Sequence, residues 1–305
     1  MRTELGSRAA CFLGVLSIAV CGCSKPSPTS SPVSSNETAP SARATSTAVA
    51  SAASHAAPGS AAELVVYVTG ERTLRGFLAR PAGDGRFPVL VYNHGSEKLP
   101  GDKAGQITFF TRHGFVVFVP HRRGHGRSEG PYVIDEANAA GERRGEVIAD
   151  RLAEQVDDVA AAVSYVKGLS FVDPSRVAVA GCSFGGIESL LAAERDLGIR
   201  AAIDFAGAAM TWSQPGSQPI RDRMTVAARR ARVPVFFLQA ENDFDVAPTR
   251  ILSEEMKKHD LPHRAKIFPP NGTTHEEGHG FCKGGEAPPW GPDVLDFLAQ
   301  TMPAR

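Results

Sequence analysis

Residues 177–186, VAVAGCSFGG, decide how the rest of the chain is interpreted. The first four are small and apolar, which is typical of a strand buried on both faces of a sheet. They lead into G-x-S-x-G, and a helical pattern follows Gly186. A strand, a sharp turn and a helix in this order lift Ser183 clear of the backbone and aim helix N–H groups at its surroundings. The stretch therefore predicts a nucleophilic serine at a strand-to-helix turn.

Short apolar runs alternate with helical patterns on both sides of this stretch. Residues 64–69 and 73–79 flank Gly70 and predict an opening β-hairpin. Further strands are predicted at 89–92, 115–119, 201–205, 235–238 and 265–268, and helices at 152–166, 224–230, 251–259 and 293–301. Strands that alternate with helices build a mostly parallel sheet with helices on both faces. The predicted fold class is therefore α/β.

Three other segments match a known superfamily in the expected order. Residues 91–96, VYNHGS, resemble the H-G turn that supplies part of an oxyanion hole, and residues 120–130, PHRRGHGRSEG, resemble the R-G-x-G-x-S-x-G loop. Residues 173–176, DPSR, resemble the lead into the nucleophile strand. Together they make residues 63–304 similar to the α/β-hydrolase superfamily, in its dienelactone-hydrolase-like and related esterase or peptidase branch. Dienelactone hydrolases proper use a Cys nucleophile, so Ser183 argues against dienelactone itself as the substrate.

The resemblance implies an acid that follows the serine and precedes a histidine in the chain. Asp243 stands where the family carries its acid after the strand predicted at 235–238. Asp245 is the first alternative and Glu241 the second. Asp245 also suits the cap of the helix that starts just beyond it. We therefore expect Asp243 to orient the base.

Residues 278–281, GHGF, resemble the H-G-F turn that precedes the final helix of the family. The resemblance makes His279 the expected base, with His275 as the alternative. Residues 275–279 also spell H-E-x-x-H, which binds zinc only when a helix carries both histidines. The prolines and glycines around this segment predict no stable helix, so no metal site is expected.

The oxyanion hole is expected from the backbone N–H of Phe184 and the Gly95–Ser96 turn. This set predicts a serine hydrolase that cleaves an ester through an acyl-enzyme and needs no cofactor. The first alternative is a serine peptidase of the prolyl-oligopeptidase or aminopeptidase type. The second is a non-catalytic envelope binding protein that keeps a hydrolase fold, and the third is a metallohydrolase.

The first 23 residues predict a lipoprotein signal peptide. Two arginines precede an apolar run that is short for a membrane span, and Cys23 after Gly22 resembles the lipidated residue of a bacterial lipobox. An ordinary cleaved signal peptide is the alternative. Residues 24–62 are rich in Ser, Pro and Ala and predict a disordered tether, which leaves 63–305 as the α/β-hydrolase domain. The expected location is the bacterial cell envelope, with a lipid anchor.

Charge and cysteine content complete the expectations. The 305 residues include 33 basic and 33 acidic side chains, which gives no electrostatic footprint for nucleic acid. The expected partners are a small-molecule or peptide acyl substrate, and a membrane only through the lipid. Cys182 precedes Ser183, and Cys282 follows His279 by three residues. Since an envelope location permits disulfides, these cysteines are a candidate pair, with two buried thiols as the alternative.

Overall fold

One sheet of eight strands, in the order β1-β2-β4-β3-β5-β6-β7-β8, organises the computed structural model, which describes residues 61–304. Only β2 runs against the other described strands, because it pairs antiparallel with both β1 and β4. The strands are β1 (Glu63–Thr69), β2 (Arg72–Ala79), β3 (Phe87–Asn93), β4 (Val116–His121), β5 (Val172–Cys182), β6 (Ala201–Phe205), β7 (Val235–Ala240) and β8 (His263–Phe268). The predicted opening hairpin and mostly parallel sheet are both confirmed.

Eight α-helices accompany these strands within the described residues. They are α1 (Ala104–Arg112), α2 (Val133–Ala139), α3 (Arg144–Lys167), α4 (Phe184–Ala193), α5 (Gln218–Arg229), α6 (Ala247–Lys258), α7 (His275–His279) and α8 (Gly291–Thr301), with short 3₁₀ helices at Gly141–Arg143 and Gly280–Cys282. Among residues 61–304, no helix is both long and apolar enough to cross a membrane. The predicted signal peptide, the lipidation of Cys23 and nearly all of the predicted tether lie outside the described residues.

Three helices are absent from the sequence-based prediction: α1, α2 and the short α7. α1 contains Gly105, which usually disfavours a helix, but a Cβ there would lie 2.8 Å from the Gly284 backbone. The glycine is therefore required by close packing. α2 buries only Val133 and Ala137, which is too short a pattern to be distinguished from a loop.

The core has two layers, one on each face of the sheet. Val89 and Val91 of β3 face a cluster that includes residues of α2 to α6. Leu90 and Tyr92 face the opposite cluster, which includes residues of α1 and α8. Alternation along a strand that is buried throughout requires apolar partners on both sides. The prediction of helices on both faces is confirmed.

The parallel strands also determine where the polar residues meet. β3 and β5 are neighbours in the sheet, with Asn93 paired to Gly181, so the turns that follow these strands are adjacent. β7 runs parallel to them and ends at Ala240. Because the carboxyl ends of parallel strands lie at one edge of a sheet, the segments that carry Ser96, Ser183 and Asp243 emerge on the same side.

Candidate active site

Ser183 occupies a strained turn between β5 and α4. Its φ of 58° lies in the left-handed region that non-glycine residues rarely adopt. The Ser183 N–H donates to the carbonyl of Phe205 over 2.9 Å, which holds the turn against β6. A Cβ at Gly185 would lie 2.0 Å from the Asn93 carbonyl oxygen, and one at Gly181 would lie 2.3 Å from the Gly185 oxygen. The glycines of G-x-S-x-G therefore permit contacts that no side chain would allow.

The turn after β3 lies beside Ser183. Its residues Gly95 and Ser96 line the same cavity as the serine hydroxyl. The Tyr132 hydroxyl donates to the Ser96 carbonyl over 2.5 Å, and this bond fixes the far side of the turn. Among residues 61–304, neither the Ser96 N–H nor the Phe184 N–H donates to another protein group. Both are available as donors to a bound oxygen.

Asp243 and His279 are in direct contact. His279 Nδ1 lies 2.9 Å from Asp243 Oδ1 and 3.2 Å from Oδ2. The carboxylate is fully buried, whereas 15% of the His279 side chain is exposed. The Phe244 N–H donates to Oδ1 over 2.7 Å and Gln239 Nε2 donates to Oδ2 over 2.8 Å. These donors hold the carboxylate in one orientation, which leaves His279 Nε2 for a second partner.

The alternative acids and base are engaged elsewhere. Asp245 Oδ1 accepts the Ala247 N–H at the start of α6 over 2.8 Å, as expected of a helix cap. Glu241 is exposed to solvent. His275 Nδ1 lies 3.0 Å from the Asn242 carbonyl oxygen, and its ring does not line the cavity that His279 lines.

The H-E-x-x-H segment is helical, so the prediction of no helix there is wrong. Thr274 and Glu277 form a capping box at the start of α7 and stabilise this short helix. Only glycine fits at position 278, because a Cβ there would lie 2.5 Å from the Asn242 carbonyl oxygen. The two histidines still bind different groups, Asn242 and Asp243. No group of three or more His, Cys, Asp or Glu side chains that could hold a metal ion occurs within residues 61–304.

Ser183 and His279 both open into a cavity of about 440 Å³. No hydrogen bond joins their side chains in the described structure, and such contacts commonly tighten only when substrate binds. The cavity wall is polar and carries charges of both signs, from Glu97, Lys103, Glu276 and Lys283. A second cavity of about 610 Å³ adjoins it, and Met210 lines both.

Segments 131–144 and 212–220 contribute residues to the walls of these cavities. Tyr132 lines the first cavity, and Arg144, Pro215 and Ile220 line the second. Trp212 lines neither: it is buried, and its carbonyl oxygen accepts the Ser217 hydroxyl over 2.7 Å.

Comparison with known proteins places the chain in a family. The family model described as "Dienelactone hydrolase family" matches residues 74–288. The chain belongs to the dienelactone hydrolase family. Over 208 residues it is 26% identical to "Protein usf" of Aquifex pyrophilus, which covers 66% of this chain and 80% of that protein.

Two other likenesses are more limited. "Uncharacterized peptidase YtmA" of Bacillus subtilis is 31% identical over 130 residues, which cover 42% of this chain and 44% of that protein. The acylaminoacyl peptidase of Pyrococcus horikoshii superposes with a TM-score of 0.61 at 15% identity, over 80% of this chain and 42% of the other. The chain thus spans less than half of either protein. The P. horikoshii likeness supports the α/β-hydrolase fold alone.

In this dienelactone hydrolase family member, a disulfide joins the segment that carries Ser183 to the segment that carries His279. Cys182 and Cys282 are bonded, their Cα atoms 5.9 Å apart and 100 residues apart in sequence. Both cysteines line the 440 Å³ cavity. The bond therefore links the end of β5, directly before Ser183, to the segment that follows His279.

Three buried polar residues near the site of this family member, Arg122, Glu188 and Gln239, are not singled out by the sequence. Arg122 and Glu188 are fully buried, with Arg122 Nε 2.7 Å from Glu188 Oε2. Burial raises the pKa of Glu188 to about 8, against the opposing effect of Arg122. Gln239 is also buried, and its Oε1 accepts the Thr249 hydroxyl over 2.9 Å. In the sequence, Arg122 is marked only by its position next to Arg123, the arginine of the R-G-x-G-x-S-x-G motif, and nothing marks Gln239 as a site residue.

Proposed function

We propose that this protein is a serine hydrolase that cleaves carboxylic esters through Ser183, His279 and Asp243. The observation that carries the proposal is the 2.9 Å contact between Asp243 and His279 beside the cavity that Ser183 lines. A neutral serine hydroxyl is a weak nucleophile without a nearby base, and the base needs a partner that fixes its tautomer. Membership of the dienelactone hydrolase family supports hydrolysis, and a lactone is a cyclic ester.

The proposed reaction has two stages. Ser183 Oγ attacks the ester carbonyl while His279 Nε2 takes its proton, and His279 then returns that proton to the departing alcohol. Water repeats the attack on the acyl-enzyme and regenerates Ser183. Asp243 stabilises the imidazolium in both stages without itself accepting the proton.

The backbone donors of Phe184 and of the Gly95–Ser96 turn are proposed to bind the oxyanion. α4 begins at Phe184, so the positive end of its dipole also points at the reacting centre. Each such donor is worth about 3–4 kcal/mol of transition-state stabilisation when measured by deletion. The donors are fixed before substrate arrives, so no reorganisation is needed during the reaction.

Peptide hydrolysis is the second candidate. The likeness to YtmA, whose name calls it a peptidase, favours peptide hydrolysis. The charged cavity wall, with Glu276 and Lys283 at its rim, offers partners for the ends of a short peptide. Because Ser183 would be the nucleophile in both reactions, rates on p-nitrophenyl acetate and on aminoacyl p-nitroanilides would separate ester hydrolysis from peptide hydrolysis.

A fluorophosphonate probe tests the proposal, because Ser183 Oγ displaces its fluoride only when the hydroxyl is activated. We expect the full chain to be labelled, Ser183→Ala to give no labelling and His279→Ala to give very little. Ser213→Ala is the matched control, since this exposed serine lies outside the cavity. Absence of labelling in a folded wild type would overturn the serine-hydrolase proposal and favour the binding protein.

We also propose that a lipid on Cys23 holds the protein at the bacterial cell envelope. The support is the sequence alone: an apolar run that ends in Gly22 and Cys23. Cys23→Ser is expected to move the protein from the membrane fraction to the soluble fraction. Cys21→Ser is the matched control and should stay with the membrane; equal behaviour of the two variants would contradict the proposal.

A further inference from the structure

We propose that Arg122 is a positioning residue that orients the oxyanion turn. The proposal rests on the proposed function, because it concerns the donors of that same site. The Arg122 side chain is fully buried and reaches the turn after β3 with both terminal nitrogens. Nη1 donates to the His94 carbonyl over 2.8 Å, and Nη2 donates to the Gly95 carbonyl over 3.0 Å.

The planarity of the peptide bond converts these contacts into control of two N–H groups. In a trans peptide, the carbonyl of one residue and the N–H of the next point in opposite directions. A donor that holds the Gly95 carbonyl therefore aims the Ser96 N–H away from Arg122, and the bond to His94 does the same for the Gly95 N–H. Gly95 and Ser96 line the cavity, whereas Arg122 is sealed in the interior. The two N–H groups are thus directed away from the interior that holds Arg122.

A second donor reinforces the first. His94 Nδ1 lies 2.9 Å from the Gly95 carbonyl oxygen, so this oxygen has two partners on the buried side. The backbone N–H of Arg122 approaches His94 Nε2 at 3.4 Å. A ring that donates at Nδ1 and accepts at Nε2 is neutral, and burial lowers the pKa of His94 well below its usual value. A flip of the Gly95–Ser96 peptide would break both bonds at once.

The guanidinium is itself attached to the nucleophile helix. Glu188 lies on α4, five residues after Ser183, and its carboxylate is 2.7 Å from Arg122 Nε. Gln155 of α3 accepts from the same Nε over 3.2 Å. One side chain therefore contacts both the oxyanion turn and the helix that carries Phe184. The arrangement holds the two halves of the oxyanion hole in a fixed relation.

Arg122→Lys separates this role from simple stability. A lysine keeps the positive charge beside Glu188, but its ammonium cannot reproduce the planar fork that holds two carbonyls. Arg123→Lys is the matched control, because Arg123 Nη2 donates to the buried Asp158 over 2.6 Å and makes no hydrogen bond to the turn. Both variants lose a buried bidentate contact, but only Arg122→Lys loses the hydrogen bonds that support the Gly95–Ser96 turn.

A trifluoromethyl ketone reports on the oxyanion hole directly. Ser183 Oγ adds to the ketone carbon, the hydroxyl proton moves to His279, and the carbonyl electron pair becomes an oxyanion in the hole. We expect Arg122→Lys to lower kcat about 10- to 100-fold on p-nitrophenyl acetate and to raise the inhibition constant of the ketone by a similar factor, with KM within about twofold. Arg123→Lys should lower the melting temperature without either change.

Two outcomes would overturn the inference. One is an Arg122→Lys variant that keeps kcat within about threefold of wild type, and the other is a fall in kcat without a matching loss of ketone affinity. If Arg122→Lys does not fold, the double variant R122M/E188M removes both buried polar side chains together and is expected to show the same paired loss. A wild type that neither hydrolyses esters nor binds the ketone would overturn the proposed function itself, which a failure confined to the variants would not.

Discussion

The two halves of the candidate site are held in different ways. Ser183 and the Gly95–Ser96 turn follow neighbouring central strands and rest on buried groups, among them Arg122 and Glu188. His279 lies on a five-residue helix near the surface, between β8 and α8. That segment is attached by a disulfide and by the Asp243 contact, and a capping box within it stabilises the helix. The half that carries Ser183 thus rests on the central strands, whereas the half that carries His279 is attached by a disulfide, by a side-chain contact and by the packing of Phe281.

This difference predicts how each half fails. A change that places a side chain in the close backbone contacts around Ser183 should act on folding. A change in the half that carries His279 leaves the core intact, so it should act on the reaction and on local stability. The following variants are expected to separate the two behaviours.

Gly185→Ala should have the largest effect. A Cβ at this position would lie 2.0 Å from the Asn93 carbonyl oxygen and 2.7 Å from that of His94, all of it backbone that cannot move aside. We expect the loss to be on the order of the whole 5–15 kcal/mol of a typical domain, and hence no folded protein by circular dichroism. Gly285→Ala, where a Cβ meets open space among the described residues, should fold normally. A folded, active Gly185→Ala would show that the turns are less tightly packed than described.

Asp243→Asn should remove the reaction and spare the fold. An amide there can present the wrong tautomer to His279, which lowers kcat by about 10⁴-fold in related triads. The melting temperature should change by only a few degrees, because the side chain keeps its size. Asp245→Asn is the control and should retain ester hydrolysis, since Asp245 caps α6. The opposite ranking of the two variants would make Asp245 the acid.

Loss of the disulfide should have an intermediate effect. The bond closes a loop of 100 residues, and removal of a native bond of this kind commonly costs about 2–4 kcal/mol. We expect the C182A/C282A variant to melt at lower temperature and to turn over more slowly, because the His279 segment loses its attachment. A phosphine reductant should reproduce both changes in wild type and have no effect on the variant. Unchanged melting and turnover in reduced wild type would contradict the expectation.

His125→Gln should have the smallest effect, and a pH-dependent one. Burial, followed by the charge of Arg122, lowers the pKa of His125 to about 3. An unfolded histidine binds its proton near pH 6.5, so the unfolded state takes up a proton that the folded state refuses as the pH falls below about 6.5. The free energy of unfolding should therefore decrease by about 2 kcal/mol per such histidine between neutral pH and pH 5.

Melting curves at pH 7 and pH 5 check this sign. The His125→Gln variant should lose less stability over this interval than wild type does. His263→Gln on β8, at the far edge of the sheet, is the matched control. Parallel pH profiles for wild type and His125→Gln would show that His125 does not contribute to acid sensitivity.

Most of the fold could be predicted because it depends on local patterns. Ser183 stands in a strand-turn-helix context that is visible within ten residues, and apolar runs mark the central strands. Prediction failed where a glycine serves a contact distant in sequence. Gly105 approaches Gly284 and Gly278 approaches Asn242, and neither approach leaves a local signal. In α7 the capping box of Thr274 and Glu277 stabilises the helix despite Gly278, and a residue-by-residue helix propensity does not include that contribution.

The candidate site divides in the same manner. The chain order of Ser183, Asp243 and His279 follows from strand order and from the family resemblance. Arg122 could not be recognised, because its role depends on the carbonyls of His94 and Gly95, 28 and 27 residues earlier. In the sequence, Arg122 looks like an ordinary residue of a polar loop. Only the folded sheet brings it beside the turn that follows β3.

Met210 lines both cavities, of about 440 and 610 Å³. Methionine is unbranched, has three rotatable bonds and tolerates many shapes of neighbour. Nearly half of this side chain, 47%, is exposed, so few contacts confine it to one rotamer. A flexible side chain that lines both cavities is expected to discriminate weakly between bound groups of different width. We therefore expect a broad range of acyl groups to be accepted, with discrimination resting on the polar end of the molecule and not on its bulk.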